Sequence, residues 1–346
     1  MSKVYYKKIN LNTSVEEVQK ITKQLLSKLI KEEHIKLEKE IPMKVHFGEP
    51  GNITYVKSEY YDGIIDYLKE KDIKSSFMET SVVYGGQRYK KELHLKTAKK
   101  HGFTKLPVII ADGDYGEAFS EIEINKKHYK TCKVGKEFEK YNQILVISHF
   151  KGHTLAGFGG AIKQLSMGHA AKGGKLAMHM GIKPKIKNRK CVRCNLCKTV
   201  CPVTAITIGK KSFIDKDKCV GCGACVAICP SKAISILSLK GIFRALFQGN
   251  TFREKLVEYA YAAQKGKHNI YLNFGMNVTK GCDCIGKPMK LIMDDFGIFV
   301  STDPVAIDKV CYDIVKEKGK AFKGKEQFEY AEEIGLGSQK YELIEI

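Results

Sequence analysis

No stretch of the 346-residue chain stays apolar for the ~18 residues that a membrane-crossing helix requires. The first residues lack a charged-then-apolar export pattern, so the expected compartment is the cytoplasm. Acidic residues are scarce: 38 Asp and Glu stand against 59 Lys and Arg, a formal charge of +21. Such an excess attracts nucleic acid, anionic lipid, acidic proteins or anionic small molecules. Here it is mostly lysine spread along the chain, without the interleaved aromatic motifs of a nucleic-acid module, which counts against nucleic acid as partner. A solvated lysine-rich surface accounts for most of it. The exception is Lys183, Lys185, Lys187, Arg189 and Lys190, which precede a cysteine loop and suit either an acidic redox partner or a solvated linker.

Cysteine, by contrast, is abundant, with 12 residues. Eight fall in two runs, CVRCNLCKTVCP from Cys191 and CVGCGACVAICP from Cys219, each spaced Cys-x2-Cys-x2-Cys-x3-Cys-Pro. The runs repeat at an offset of 28 residues, through Pro202/Pro230 and Ala205-Ile206/Ala233-Ile234, as a duplicated unit does. Each iron of a [4Fe–4S] cube takes one thiolate; in bacterial two-cluster ferredoxins the cysteine before proline serves the other cube. The spacing therefore assigns Cys191, Cys194, Cys197 and Cys229 to one cluster, and Cys219, Cys222, Cys225 and Cys201 to the second. Gly221 and Gly223 would let backbone N–H groups approach the sulfurs. Two zinc sites are the alternative; the third cysteine of each loop and the Cys-Pro ending count against them. A disulfide framework fits poorly with clustered thiols in a long chain. Two cubes would add about −2 charges apiece, leaving a holoprotein near roughly +17.

Around these runs the pattern is that of an α/β protein. Ser14 and Glu17 form a capping box before Val15, Val18, Ile21, Leu25, Leu26, Leu29 and Ile30 at helical spacing. Strand-like 43–48, 75–81, 106–112 and 143–150 alternate with helix-like 57–70 and 89–100 and a hairpin over 120–134. Downstream come a helix over 251–264, strand-like 268–274 and 290–302, and a helix capped by Asp303 and opened by Pro304. The expected fold is α/β, a mainly parallel sheet flanked by helices, with an inserted ferredoxin-like α+β two-cluster domain. The expected units are 1–185 and 239–346 as two parts of one α/β domain, with 186–238 as the insert.

A second constellation occupies 147–181, rich in glycine, histidine and lysine. His149 and His153 end an apolar strand, where an α/β sheet presents its site. Gly157, Gly159 and Gly160 lead into a helix with Lys163 in its first turn, a pattern that can cradle phosphate or carboxylate or simply serve packing. His169, Lys175 and His179 follow. Cys282 and Cys284, one residue apart, can chelate an additional soft metal ion or be two buried thiols. Asp294 and Asp295 could face the same crevice. Cys132 and Cys311 have no ligand spacing and read as core residues.

HFKGHTLAGFGGAIKQLSMG, GKLAMH, the double cysteine run, EYAYAA (258–263), NVTKGCDC (277–284) and DDFGIFVSTDPVAID (294–308) together resemble the iron–sulfur centre proteins of the domain of unknown function 362 family. The resemblance covers about 70–346 well and the first forty residues poorly. It implies an α/β domain carrying a bacterial ferredoxin insert, as is common in anaerobes, and implies no reaction. Three functions follow as expectations. The first is low-potential electron transfer between the clusters and a site in the α/β domain or a redox protein partner. The second is a redox enzyme acting on an anionic small molecule, with His149 or His153 as ligand or proton donor and Lys163 holding the anion. The third is a metal- or cluster-handling factor using Cys282 and Cys284.

Overall fold

The computed structural model describes residues 1–179, 183–236 and 249–346. The junction expected at 238/239 lies outside the described residues. Eight strands form one sheet: β1 (Ser2–Lys7), β2 (Met43–Lys44), β3 (Phe77–Glu79), β4 (Val108–Ile110), β5 (Leu145–His149), β6 (Ile270–Gly275), β7 (Gly297–Ser301) and β8 (Tyr341–Glu345). Their order is β8-β1-β7-β6-β5-β2-β3-β4. From β6 through β4 all neighbours are parallel, and β8 is parallel to β1. Strand β7 runs antiparallel to both β1 and β6. The sheet is thus mixed and mostly parallel, an α/β fold.

The strand period of two explains its layers. In β6, Tyr271 enters one core, while Ile270, Leu272 and Phe274 enter the other. In β5, Val146 parts from Leu145 and Ile147 in the same way. One face packs on α1 (Val15–Glu32), α2 (Asp62–Glu70) and α3 (Lys91–Lys100) through residues such as Leu25, Ile64 and Ala98. The other packs on α4 (Ala161–His169), α5 (Lys172–His179), α6 (Gly249–Gln264), α7 (Pro304–Glu317) and α8 (Glu326–Glu333). Buried strands with both faces covered read as near-continuous apolar runs, which is why 145–149 and 270–275 were visible in the sequence.

The caps hold as expected. Ser14 Oγ accepts from the Glu17 N–H at 3.2 Å, and Asp303 Oδ1 accepts from Val305 and Ala306. The hairpin pairs Phe119–Glu123 with Thr131–Gly135. Two strands of this sheet went unread: β8 at its edge, with no buried side chain, and β1 beside it, where only Val4 and Tyr5 are buried. The expected strand over 290–302 is strand only from Gly297, because Ile292 donates its N–H to Val278 instead of to the sheet.

Residues 185–236 pack on a core of their own around Cys197, Ala205, Ile206, Ile214, Cys225 and Ile234. Lys185–Ile186 pairs with Ile234–Ser235, bringing the two ends together. The duplication extends to the backbone. Left-handed residues recur at the 28-residue offset: Arg193 with Gly221, Asn195 with Gly223, Thr204 with Lys232. Each of the first two pairs precedes a short helix, Leu196–Thr199 or Ala224–Ile228.

His169, at the end of α4, packs against Phe138 with ring centroids 4.2 Å apart, its Nδ1 3.0 Å from the Gln164 carbonyl. Burial first, then the Lys44 charge, pushes its pKa from 6.5 down to about 3. The folded value is depressed, so the neutral ring stabilises the fold above pH 6.5, and that contribution is lost as pH falls towards 3. Denaturant titrations should show wild type losing about 1.4 kcal/mol per pH unit more than His169→Asn across this window.

Candidate functional site

The thiols of the double run lie close enough to act on one another, within and between the two runs. Burial raises the Cys197 thiol, and the charges that add to it are those of Cys229, Cys191 and Cys194. Around Cys222, which burial also raises, the contributing thiols are Cys201 and Cys219. Equivalent N–H groups point at equivalent sulfurs: Ala205 to Cys201 and Ala233 to Cys229, both at 3.3 Å. Among the described residues no three His, Cys, Asp or Glu side chains are grouped to hold a single metal ion.

This segment docks on the α/β domain through α5 and the hairpin. A Cβ on Gly173 would lie 2.9 Å from Cys222 Cα, and one on Gly223 would lie 2.9 Å from Leu176, so both contacts require glycine. Lys133 Nζ donates to the Val220 carbonyl at 2.8 Å. Lys172 Nζ donates to the Tyr89 carbonyl and sits 4.1 Å over the Tyr89 ring, close enough to Cys222 to feel its charge. Tyr89 itself stands beside Cys225 and Cys229.

The other side of α5 faces a cavity of ≈ 120 Å³ at the carboxyl ends of β2, β3, β5 and β6, where an open parallel sheet places its ligands. Its polar lining comes from His46, Glu79, Arg88, His153, Lys163, Lys175, His179, Cys282 and Cys284. Lys163 Nζ stands 3.7 Å from Cys282 Sγ, and the Cys284 N–H points at the same sulfur at 3.4 Å. A hydrogen bond from the Cys284 thiol holds the Cys282 thiol well below its ordinary value against burial, with help from Lys163 and His153. That bond, with burial, raises Cys284. The pair therefore favours charge on Cys282 and a proton on Cys284. Burial and Lys163 lower His153, and burial brings His179 to about 4 and Lys175 to about 8.

The opposite wall is an ionic network. Arg88 Nε donates to Glu49 at 2.8 Å, its Nη2 donates to Tyr84 at 2.6 Å, and Glu79 pairs with Lys44 at 2.9 Å. Burial acts to raise the Glu79 carboxyl, but Lys44, His46 and Lys175 outweigh it and hold it below the carboxylate range. Through His153 the cavity adjoins an open cleft of ≈ 1080 Å³ bordered by Lys280, Lys287, Lys290, Lys320 and Lys323, with no acidic residue in its lining.

The structure thus brings His153, Lys163, Cys282 and Cys284 together, with Lys175 and His179. His149 is not with them. Its Nδ1 faces Asp283 at 2.9 Å and its Nε2 the Met276 carbonyl at 2.7 Å, so both nitrogens are engaged away from the cavity. The Lys151 ammonium stands 2.7 Å from Asp283. The expected anion loop is already filled. Asp308 accepts from the Ala161 and Ile162 N–H groups at 2.6 and 2.9 Å, so the chain's own carboxylate occupies the α4 N-terminus. Gly160 is glycine because a Cβ would meet Asp308 at 2.1 Å, and Gly157, at φ +93, because one would meet the Lys323 carbonyl. Gly159 lies in the short strand Gly157–Gly159 against Lys163. Asp294 and Asp295 also stay outside the cavity lining; Asp295 accepts from the Asn277 N–H. Cys132 and Cys311 are fully buried in the core. Arg88, Glu79 and His46 carried no motif and went unread, whereas Asp283 lay in view between the two cysteines.

A family model described as "Domain of unknown function (DUF362)" matches residues 41–313. No curated protein matches the chain. Among solved structures it is similar to a protein from Thermotoga maritima at 12% identity and a TM-score of 0.44, over 90% of this chain and 60% of that one. It is also similar to a lactate racemase apoprotein from Thermoanaerobacterium thermosaccharolyticum at 13% identity and a TM-score of 0.43, over 92% and 57% respectively. The chain spans less than two thirds of either of these proteins.

Asp308→Ala leaves two buried N–H donors and the Asn273 amide without their acceptor. It should lower unfolding free energy by about 3 kcal/mol in denaturant titration, and inorganic phosphate should neither bind the wild-type glycine loop nor rescue the variant.

Proposed function

The chain belongs to the domain of unknown function 362 family, and from its own residues we propose that it is an iron–sulfur protein carrying low-potential electrons to its α/β cavity. Cys191, Cys194, Cys197 and Cys229 hold one [4Fe–4S] cluster; Cys219, Cys222, Cys225 and Cys201 hold the other. The observation that carries this reading is the duplicated backbone, in which left-handed residues recur at the 28-residue offset and equivalent N–H groups point at Cys201 and Cys229. When bound, the clusters supply one-electron transfer at low potential. The protein's part is to orient the thiolates, to direct Ala205 and Ala233 N–H groups at their sulfurs, and to place Lys172 and Lys133 nearby, all of which favour added negative charge. Helix α5 links this segment to the cavity: Gly173 touches Cys222, while Lys175 and His179 line the cavity wall. Eight residues of helix are about 12 Å long, a short distance for an electron. The exposed basic run Lys183–Lys190 suits an acidic redox partner at the outer end.

A second reading adds an anionic small molecule as the electron acceptor. The five lysines around the cleft, with His153 at its inner end, support it. Lys163, beside the Cys282 sulfur, serves that sulfur first.

Anaerobically purified protein should contain about eight irons and eight inorganic sulfides, whereas zinc at two per chain would refute the reading. The crosswise assignment makes a sharper test. Cys191→Ala with Cys229→Ala removes two ligands of one cluster and should retain about four irons. Cys191→Ala with Cys219→Ala strikes both clusters and should lower iron below that level.

A further inference from the structure

Cys282 and Cys284 flank the tip of a tight turn closed by the Ile285 N–H donating to the Cys282 carbonyl at 2.9 Å. A turn of this kind keeps residues two apart within the Cα separation that a disulfide bridges. Both side chains line the same cavity, and the Cys284 backbone N–H points at the Cys282 sulfur at 3.4 Å. The charges around them are unusual for a metal site. The nearest cation to Cys282 is the Lys163 ammonium at 3.7 Å, where a metal ion would have to compete with it. The residue between the cysteines, Asp283, is turned to the opposite side and gripped by His149 and Lys151. The turn is thereby anchored from behind, with both sulfurs presented to the front.

We infer that Cys282 and Cys284 form a redox-active dithiol, which opens and closes as a disulfide inside the cavity and acts on a small disulfide compound. The assignment of the eight other cysteines as the electron supply is the reading on which its reduction rests. The Cys282 sulfur attacks one sulfur of the substrate R–S–S–R′, forming a mixed disulfide and releasing R′–S⁻, which His153 or solvent protonates. The Cys284 sulfur then attacks Cys282 in the mixed disulfide, its proton passing to the second leaving thiolate, and R–SH departs. The Cys282–Cys284 disulfide so formed takes up two electrons, one from each reduced cluster, and one proton, restoring the Cys282 thiolate and the Cys284 thiol. Two one-electron carriers match one two-electron bond. The lysine-bordered cleft that meets the cavity at His153 favours substrates carrying carboxylate or phosphate groups.

The test uses the full-length protein purified anaerobically with its clusters. It is equilibrated in mixtures of oxidised and reduced dithiothreitol, trapped with iodoacetamide and digested, and the peptide spanning both cysteines is weighed. The expected result is a peptide that carries two alkyl groups in reducing buffer and none, with a mass lower by two hydrogens, in oxidising buffer. A peptide that accepts both alkyl groups across the whole range overturns the dithiol. In a second arm the oxidised protein is photoreduced with a deazaflavin while the visible absorbance of the clusters is followed. Loss of the crosslink as the clusters bleach supports the cluster-fed cycle. Bleaching with the crosslink intact overturns the electron-supply reading while leaving the dithiol in place. The two failures are therefore distinct.

Discussion

Asp283 has almost no access to water, with His149 2.9 Å and Lys151 2.7 Å from its carboxylate. Burial works to raise its carboxyl, but His149, Lys151 and His46 hold it below the ordinary carboxylate range. Removing a carboxylate from water costs several kcal/mol, repaid only by close and fully hydrogen-bonded partners. That constraint locks three distant segments into one geometry: the end of β5, the loop after β6 through Met276, and the turn that bears Cys282 and Cys284. Because Asp283 sits between the cysteines in sequence, pinning it fixes where both sulfurs stand. The cavity, its thiolate and its cations depend on that pin.

A second buried carboxylate does comparable work on the other side of the cavity. Asp308, from α7, satisfies the first N–H groups of α4 and is itself held by the Asn273 amide of β6 at 2.7 Å. Burial lifts its pKa to about 6. The positive end of α4 is thus spent on an internal ligand. What remains for chemistry is the side chain of Lys163 in its first turn, held to the Cys282 sulfur. The glycines ahead of α4 allow close passage of backbone and carboxylate. They are packing residues here, although their spacing is that of an anion loop.

Helix α5 connects the two halves of the argument about function. Its glycines let the second cysteine loop approach to van der Waals contact, and its Lys175 and His179 close the cavity. Lys172 ties Tyr89, which stands beside two of the thiols, to the segment that also carries Tyr84 and Arg88 into the cavity wall. A shift of the cysteine segment would be felt in the cavity through this helix and this loop, since neither has space to yield. The cysteine segment and the cavity are in this way built against the same eight residues.

The cysteine runs were legible from sequence because their pattern is local: three thiols at set spacing fall in one loop and a fourth follows just before proline, whatever surrounds them. The buried strands β5 and β6 and the capped helices were legible for the same reason, since periodicity and capping act over a few residues. The edge strand β8 and its neighbour β1 were not, because a partly wet strand carries no continuous apolar run and the two pair across opposite ends of the chain. His149 and the glycine loop were singled out by residue type, yet only the fold decided their use. Which acceptor a histidine faces, and whether a helix N-terminus is open or already capped, depends on Asp283 and Asp308, more than a hundred residues away. Arg88, Glu79 and His46 had no pattern to find, since their pairing exists only where β2, β3 and the loop after β3 converge. Local spacing determined which atoms could bind iron. Long-range burial of charge decided which sulfurs, cations and imidazoles share one cavity.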